Sequence, residues 1–158
     1  MDVVALLRSA SLLVPEETAT AAAAEELRLE RSAAWCHWRE GETRNGVIRA
    51  DLTLRAPSDG GRRSPADGAG VLRPMWNIGN STPAGEPEHN IACIWVEDAP
   101  ALEPGGRATV RLAPLTPRSW RHLEPGQVIT MHETRTVAGT AVVLQADFRH
   151  TEMCLGES

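Results

Sequence analysis

From Val47 onward, apolar residues recur at every second position, which is the period of a β-strand with one buried face. Ile48, Ala50, Leu52 and Leu54 alternate with polar or charged residues, and this pattern predicts a half-buried strand. Glycine and proline turns separate most of the apolar segments that follow. Five further short strands are predicted, near residues 71–78, 91–96, 108–112, 128–132 and 140–148.

Six short strands joined by turns are best closed into a barrel, because closure removes the exposed strand edges that invite aggregation. We therefore predict a mostly β fold: a closed six-stranded antiparallel barrel over residues 46–150, followed by a tail over residues 151–158. Residues 80–90 are rich in Ser, Pro, Gly and Glu and are expected to form a loop. The residues predicted to face the interior are Leu52, Leu54, Ile94, Val110, Leu112, Ile129 and Val142.

Residues 1–45 have a helical period instead, and we predict that they form a short helical hairpin beside the barrel. Apolar residues between Val3 and Leu13 form a stripe of helical spacing. Pro15 suits the first turn of a second helix. The alanine-rich stretch that follows favours helix strongly, and Gly41 is expected to end it.

Two tryptophans, Trp35 and Trp38, lie three residues apart in the second predicted helix and so share one helix face. One interpretation is that they pack this appendage onto itself or onto the barrel. The other is that they anchor a binding partner, because tryptophan is enriched at interface hot spots.

The charge balance bears on the class of partner. All sixteen basic residues are arginine, and the 21 acidic residues bring the net charge to −5. Autonomous nucleic-acid binders usually carry a basic excess, since phosphate neutralisation supplies most of their affinity. The negative balance therefore favours a protein over RNA as the partner.

Several motifs of catalysis and localisation are missing from the sequence. With no lysine, a phosphate-binding loop of the form Gly-x-x-x-x-Gly-Lys-(Ser/Thr) is excluded, so no nucleotide is expected to bind. There is no Gly-x-Ser-x-Gly elbow and no His-Glu-x-x-His helix, which predicts a protein that is not an enzyme and has no cofactor. No apolar run is long enough to span a bilayer, and the start lacks the order of a secretory signal. A cytoplasmic location without membrane contact is expected.

Two His-x-x-x-Cys pairs raise the question of a metal site. His89 and Cys93 are four residues apart, as are His150 and Cys154. On a β-strand this spacing puts the two side chains of each pair on one face. Structural zinc sites normally use tighter pairs such as Cys-x-x-Cys. We therefore expect no bound metal and keep these four residues as an alternative set of ligands.

Three peptides of the predicted barrel stand out: Gly60-Gly61-Arg62-Arg63-Ser64-Pro65, Leu72-Arg73-Pro74-Met75-Trp76 and Glu133-Thr134-Arg135-Thr136-Val137. They are similar, in the same order, to landmark peptides of the C-terminal β-barrel domain of bacterial elongation factor Tu. The resemblance spans residues 47–148 and includes no GTPase domain. In that family the barrel carries no chemistry and docks the T-stem of aminoacyl-tRNA and the GTPase domain. The resemblance implies a barrel of the translation-factor type that acts as a binding module.

Two departures from the family pattern affect its RNA contacts. Met75 replaces a glutamine of the T-stem contact surface, and a thioether cannot make the hydrogen bonds of an amide. The segment around Arg135 lacks a family glycine that lets the tRNA backbone approach closely. The arginines of the three peptides could bind anions, or could instead be paired with Asp59, Asp67 and Glu133. The candidate partner-binding residues are Arg62, Arg63, Arg73, Met75, Trp76, Glu133 and Arg135.

The function predicted from these features is a non-catalytic module that binds a macromolecular partner, with a protein favoured over tRNA. By analogy with the family, it could be an accessory, decoy or immunity-type factor for the translation machinery. An RNA-binding translation accessory protein is the first alternative. A small-molecule or metal site at the mouth of the barrel is the second.

Overall fold

The computed structural model describes residues 16–148, with side chains from residue 21 onward. An α-helix, α1, spans Glu16–Asn45 and precedes the strands. Within residues 16–148, no helix combines the length and the apolar content needed to cross a membrane. The strands are β1 Val47–Leu54, β2 Ala66–Asp67, β3 Met75–Ser81, β4 Pro87–Val96, β5 Ala101–Leu102, β6 Arg107–Pro114, β7 Val128–Glu133 and β8 Thr136–Asp147.

Six of these strands form a closed antiparallel barrel in the order β1-β6-β4-β3-β7-β8. The barrel closes where β8 pairs with β1, from Val47 opposite Asp147 to Leu54 opposite Gly139. The short strands β2 and β5 pair with each other in a separate ribbon. The predicted closed six-stranded barrel is confirmed, and each of the six predicted strands overlaps one of its strands.

The core follows the period-two pattern of the sequence. The four alternating apolar residues of β1, from Ile48 to Leu54, are each at most 2% exposed. Six of the seven residues predicted to face the interior are buried. The prediction for Val142 is wrong: it is 38% exposed, while Ala141 and Val143 face the core. Residues 141–144 are all apolar, so their pattern does not indicate which alternate residues point inward.

Residues 80–90, predicted as a loop, form a β-hairpin instead. They complete β3, turn, and begin β4. The Thr82 N–H donates to the Glu86 carbonyl at 2.7 Å, and the Gly85 N–H donates to the Thr82 carbonyl at 2.8 Å. The polar composition therefore reflects a hairpin tip that is exposed on both faces rather than an irregular backbone.

The end of α1 also differs from its prediction. The helix passes through Gly41 and ends at Asn45. Gly46 then takes a left-handed φ of +96° and donates its N–H to the Glu42 carbonyl at 2.8 Å, as a helix-ending glycine does. The first helix of the predicted hairpin and the predicted tail lie outside the described residues.

A compact unit begins at Cys36 and takes in the last turns of α1 together with the barrel. Within it, Trp38 packs against Trp95 of β4, with ring centroids 5.8 Å apart. A Cβ added to Gly70 would lie only 3.1 Å from the Trp38 ring. This cover helps to explain why residues 92–96 are all buried, on the outer as well as the inner face of β4.

A chain of five charged side chains joins the end of α1 to the barrel. The Glu42 side chain, only 4% exposed, accepts hydrogen bonds from Arg111 at 2.7 and 3.0 Å and from Arg39 at 2.7 Å. Glu97 accepts from Arg49 at 2.6 and 2.9 Å and from Arg111 at 3.0 Å. We call these residues the ion-pair chain. It holds the last helical turns on the outer face of β1, β4 and β6.

The ion-pair chain predicts an acid-sensitive contribution to stability. The hydrogen bond from Arg49 holds the pKa of the Glu97 carboxyl below its usual range, with a further contribution from Arg111. A depressed folded pKa stabilises the protein above the unfolded pKa, near 4.3, and this contribution is lost as the pH falls through the folded value. Glu97→Gln is expected to lower the free energy of unfolding by about 1–2 kcal/mol at pH 7.

Urea unfolding at pH 7, 5 and 3 checks this prediction. The difference between wild type and Glu97→Gln should persist at pH 5 and shrink as the pH falls below about 4.3. Glu88→Gln is the matched control, because Glu88 is exposed on the β3–β4 hairpin. Equal stabilities of wild type and Glu97→Gln at pH 7 would contradict the prediction.

Candidate functional site

Four of the residues predicted to bind a partner line two grooves around the turn between β7 and β8, namely Arg62, Arg73, Met75 and Glu133. Two shallow grooves flank this turn and share Glu133 and Thr134 as lining residues. The β3 groove, of about 260 Å³, lies between residues 72–75 and residues 132–134. The diglycine groove, of about 220 Å³, is lined by Gly60, Gly61, Arg62, Glu133, Thr134, Thr136 and Ala138.

The diglycine groove depends on a close approach of the backbone to the end of β1. The Gly61 N–H donates to the Ala56 carbonyl at 2.9 Å. A Cβ on Gly61 would lie 2.0 Å from the Arg55 carbonyl oxygen, so only glycine fits there. This approach puts the next residue, Arg62, within reach of the β7–β8 turn.

Arg62 is part of the structure of this end of the barrel rather than a free anion-binding group. It forms a salt bridge with Glu133 and donates to the Ser64 carbonyl at 2.9 Å and the Pro65 carbonyl at 3.2 Å. Its side chain is 15% exposed. For Arg62, the alternative of an ion pair with Glu133 is confirmed, and the two charges neutralise each other.

Four other arginines at this end are exposed, and none forms an ion pair with a carboxylate of the described residues. Arg63 follows Arg62, Arg73 lies at the lip of the β3 groove, and Arg135 lies in the β7–β8 turn. The fourth, Arg55, was missed from the sequence. Its N–H donates to the Ala138 carbonyl at 2.8 Å, which places it beside the diglycine groove. We call Arg55, Arg63, Arg73 and Arg135 the rim arginines.

The rim arginines differ from the arginines along the barrel wall. Arg107 on β6 makes a two-pronged ion pair with Asp51 on β1, and Arg49 and Arg111 belong to the ion-pair chain. Asp59 and Asp67, which the sequence offered as partners, make no such pair with the rim arginines. The positive charges of the rim arginines are therefore not neutralised by any carboxylate of the described residues.

The β3 groove has an apolar floor. Leu72, Pro74 and Met75 line it from the side of β3. Pro74 is buried and Met75 is half-buried. Met75 lies opposite His132 of β7 in the sheet. The groove thus combines an adaptable thioether and two apolar side chains with Arg73, whose guanidinium also interacts with the Cys93 thiol.

The three tryptophans that were candidates for partner binding lie in different environments. Trp76 is fully buried, its ring 6.4 Å from that of Trp120, and its indole N–H donates to the Ala92 carbonyl at 3.3 Å. It is a core residue and presents no surface to a partner. Trp38 packs on the barrel, whereas Trp35 precedes the compact unit that begins at Cys36.

Two of the four alternative metal ligands, His89 and Cys93, lie among residues 16–148, where no group of three or more His, Cys, Asp or Glu side chains could hold a metal ion. His150 and Cys154 lie outside this part of the chain. Burial raises the pKa of the Cys93 thiol, and the guanidinium of Arg73 opposes that effect only in part. A raised thiol pKa disfavours the thiolate that metal binding requires.

Two histidines form a pair on the outer face next to the β3 groove. The rings of His89 and His132 have centroids 4.6 Å apart, and the His132 Nε2 lies 2.8 Å from the Thr130 hydroxyl. Burial lowers the pKa of His132, and the charge of His89 lowers it further. Near neutral pH, His132 therefore adds no positive charge to the lining of the β3 groove.

Neither the scan against protein-family models nor the search of curated proteins gives a match to this chain. The resemblance to the barrel of elongation factor Tu stays a prediction from its three peptides. Because one fold serves many functions, the function has to be argued from the rim and its grooves.

Proposed function

We propose that this chain is a non-catalytic binding module that engages a protein partner through the end of the barrel bearing the rim arginines. The observation that carries the proposal is the concentration, around two grooves, of exposed arginines that have no carboxylate partner among residues 21–148. A guanidinium grips a carboxylate with two parallel hydrogen bonds, so the rim suits an acidic surface.

The chemistry of the grooves supports binding rather than catalysis. The carboxylate that lines both grooves, Glu133, is held in a salt bridge by Arg62, so it has a structural contact of its own. The grooves, at about 260 and 220 Å³, are smaller than the roughly 300–1,000 Å³ of small-molecule sites. A flat surface with small hollows is typical of protein–protein contact.

The choice of a protein over RNA rests on charge and on Met75. The net charge of −5 opposes a general attraction to phosphate, and a thioether replaces the amide expected from the resemblance. If the resemblance holds, the partner belongs to the translation machinery, and the chain serves it as an accessory, decoy or immunity-type factor. RNA remains the second candidate, because the rim arginines lie in or beside the peptides similar to a tRNA-docking barrel.

A pull-down tests the proposal. The full chain is immobilised and exposed to a lysate of the cells that produce it, with and without nuclease. We expect proteins to be retained after nuclease by the wild type but not by the triple variant Arg63→Glu, Arg73→Glu, Arg135→Glu. Arg118→Glu with Arg121→Glu is the matched control, since both residues are exposed away from the rim.

Two outcomes would overturn the proposal. One is capture of the same proteins by the triple variant. The other is loss of all captured proteins on nuclease treatment, which would transfer the support to the RNA candidate.

A further inference from the structure

The β3 groove has a composition that indicates the chemistry of its occupant. Its floor is apolar, from Leu72, Pro74 and Met75, and Arg73 stands at its edge. Arg135 follows Thr134, another lining residue, on the opposite wall. A hollow lined by apolar side chains, with Arg73 in its lining and the exposed Arg135 next to it in sequence, fits an apolar group that is flanked by anions.

Charge complementarity extends this description. Glu133 is the acidic residue in the lining of the β3 groove, and its salt bridge with Arg62 reduces its repulsion toward other carboxylates. Arg73 and Arg135 are exposed and form no ion pair with a carboxylate of residues 21–148. A cationic surface of this kind favours an acidic partner and disfavours a basic one.

The size and the lining of the groove favour a protein side chain over a nucleic acid base. A volume of about 260 Å³ is that of roughly nine water molecules, enough for one large side chain. Met75 adapts its shape to apolar groups but offers no amide to a base. Trp76, the nearest tryptophan in sequence, is buried and gives no surface on which bases could stack.

We propose that the β3 groove holds an apolar side chain from an acidic segment of the partner protein. Arg73 and Arg135 pair with carboxylates on either side of that side chain. This inference rests on the proposed function and adds the chemical class of the partner segment and the place where its anchor lies.

Selection from a displayed library of random peptides against the immobilised full chain tests the inference. We expect the enriched peptides to share a central apolar residue flanked by Asp or Glu. A fluorescent copy of one enriched peptide then serves as the probe in polarisation measurements. Its affinity should fall at least tenfold for Met75→Asp and for Arg73→Glu with Arg135→Glu. Leu144→Asp and Arg118→Glu, at exposed positions elsewhere, should change it less than twofold.

Melting curves establish that each variant is folded, and the near-isosteric Met75→Gln replaces Met75→Asp if the latter is not. The inference is overturned if no peptide is enriched, if enriched peptides lack the acidic and apolar bias, or if their binding ignores both groove variants. Tight binding of an RNA stem that the Arg73→Glu, Arg135→Glu variant abolishes would also overturn it. If Met75→Asp retains the protein captured from lysate while the triple rim variant loses it, the proposed function stands and this inference fails.

Discussion

Trp76→Ala is expected to lower the free energy of unfolding by about 3–5 kcal/mol, the cost of removing a large buried aromatic side chain. Trp76 is fully buried against Trp120 and donates a hydrogen bond to the Ala92 carbonyl. The substitution leaves both a cavity and an unpaired carbonyl. Urea unfolding at pH 7 measures the change.

Two controls make this result informative about function as well as stability. Trp76→Phe keeps most of the ring and should cost less than Trp76→Ala. Val128→Ala, at a position 60% exposed on the barrel wall, should stay within about 0.5 kcal/mol of wild type. A Trp76→Ala variant as stable as wild type that no longer bound the partner would return Trp76 to the set of surface anchors.

Replacing Arg63, Arg73 and Arg135 together by glutamate is expected to weaken partner binding at least a hundredfold. Each substitution removes a cation that would face the acidic surface of the partner and puts a carboxylate in its place. Like charges that face each other across an interface cost several kcal/mol of binding free energy. Polarisation with the purified partner, or with a peptide that binds the β3 groove, measures the loss. Thermal melting should differ little from wild type, because these three side chains are exposed.

Salt dependence separates the two classes of partner. If the four rim arginines neutralised four phosphates, binding would weaken by about 150-fold between roughly 50 and 200 mM salt. A protein contact anchored by an apolar side chain should weaken by much less. Met75→Gln adds a second comparison. This substitution should lower the affinity for a protein partner, and it should raise the affinity for tRNA if RNA is the ligand. A steep salt slope combined with a gain from Met75→Gln would refute the protein assignment.

The barrel was predictable where polar residues interrupt the apolar ones. In β1, charged residues such as Arg49 and Asp51 mark the outward face, so the inward set was read correctly. In β8, Val142 lies in a continuous apolar run, and nothing local marks which of its neighbours faces the core. In β4, the outward Trp95 is covered by Trp38 of α1, a contact that its own strand pattern cannot reveal.

The sequence indicated which segments form the candidate site, but it did not indicate which arginines there form ion pairs. Residues of all three peptides lie together around the β7–β8 turn, where they line two neighbouring grooves. The partner of Arg62 is Glu133, which lies 71 residues away in sequence, so no local pattern could distinguish this structural ion pair from a free guanidinium. Arg55 was missed because its position depends on the approach of Gly61 to the end of β1.

The ion-pair chain determines how far the protein can be shortened from its N-terminal side without loss of contacts to the barrel. The boundary predicted between helix and barrel is residue 46, and a fragment that begins there would lose Arg39 and Glu42. Of the residues of the ion-pair chain, only Glu97 would then remain as a partner of Arg111. It would also lose Trp38 and expose the ring of Trp95 on the barrel wall, a site for self-association. We therefore expect a fragment that starts near Cys36 to be more stable than one that starts at residue 46, because the last turns of the helix pack on the strands.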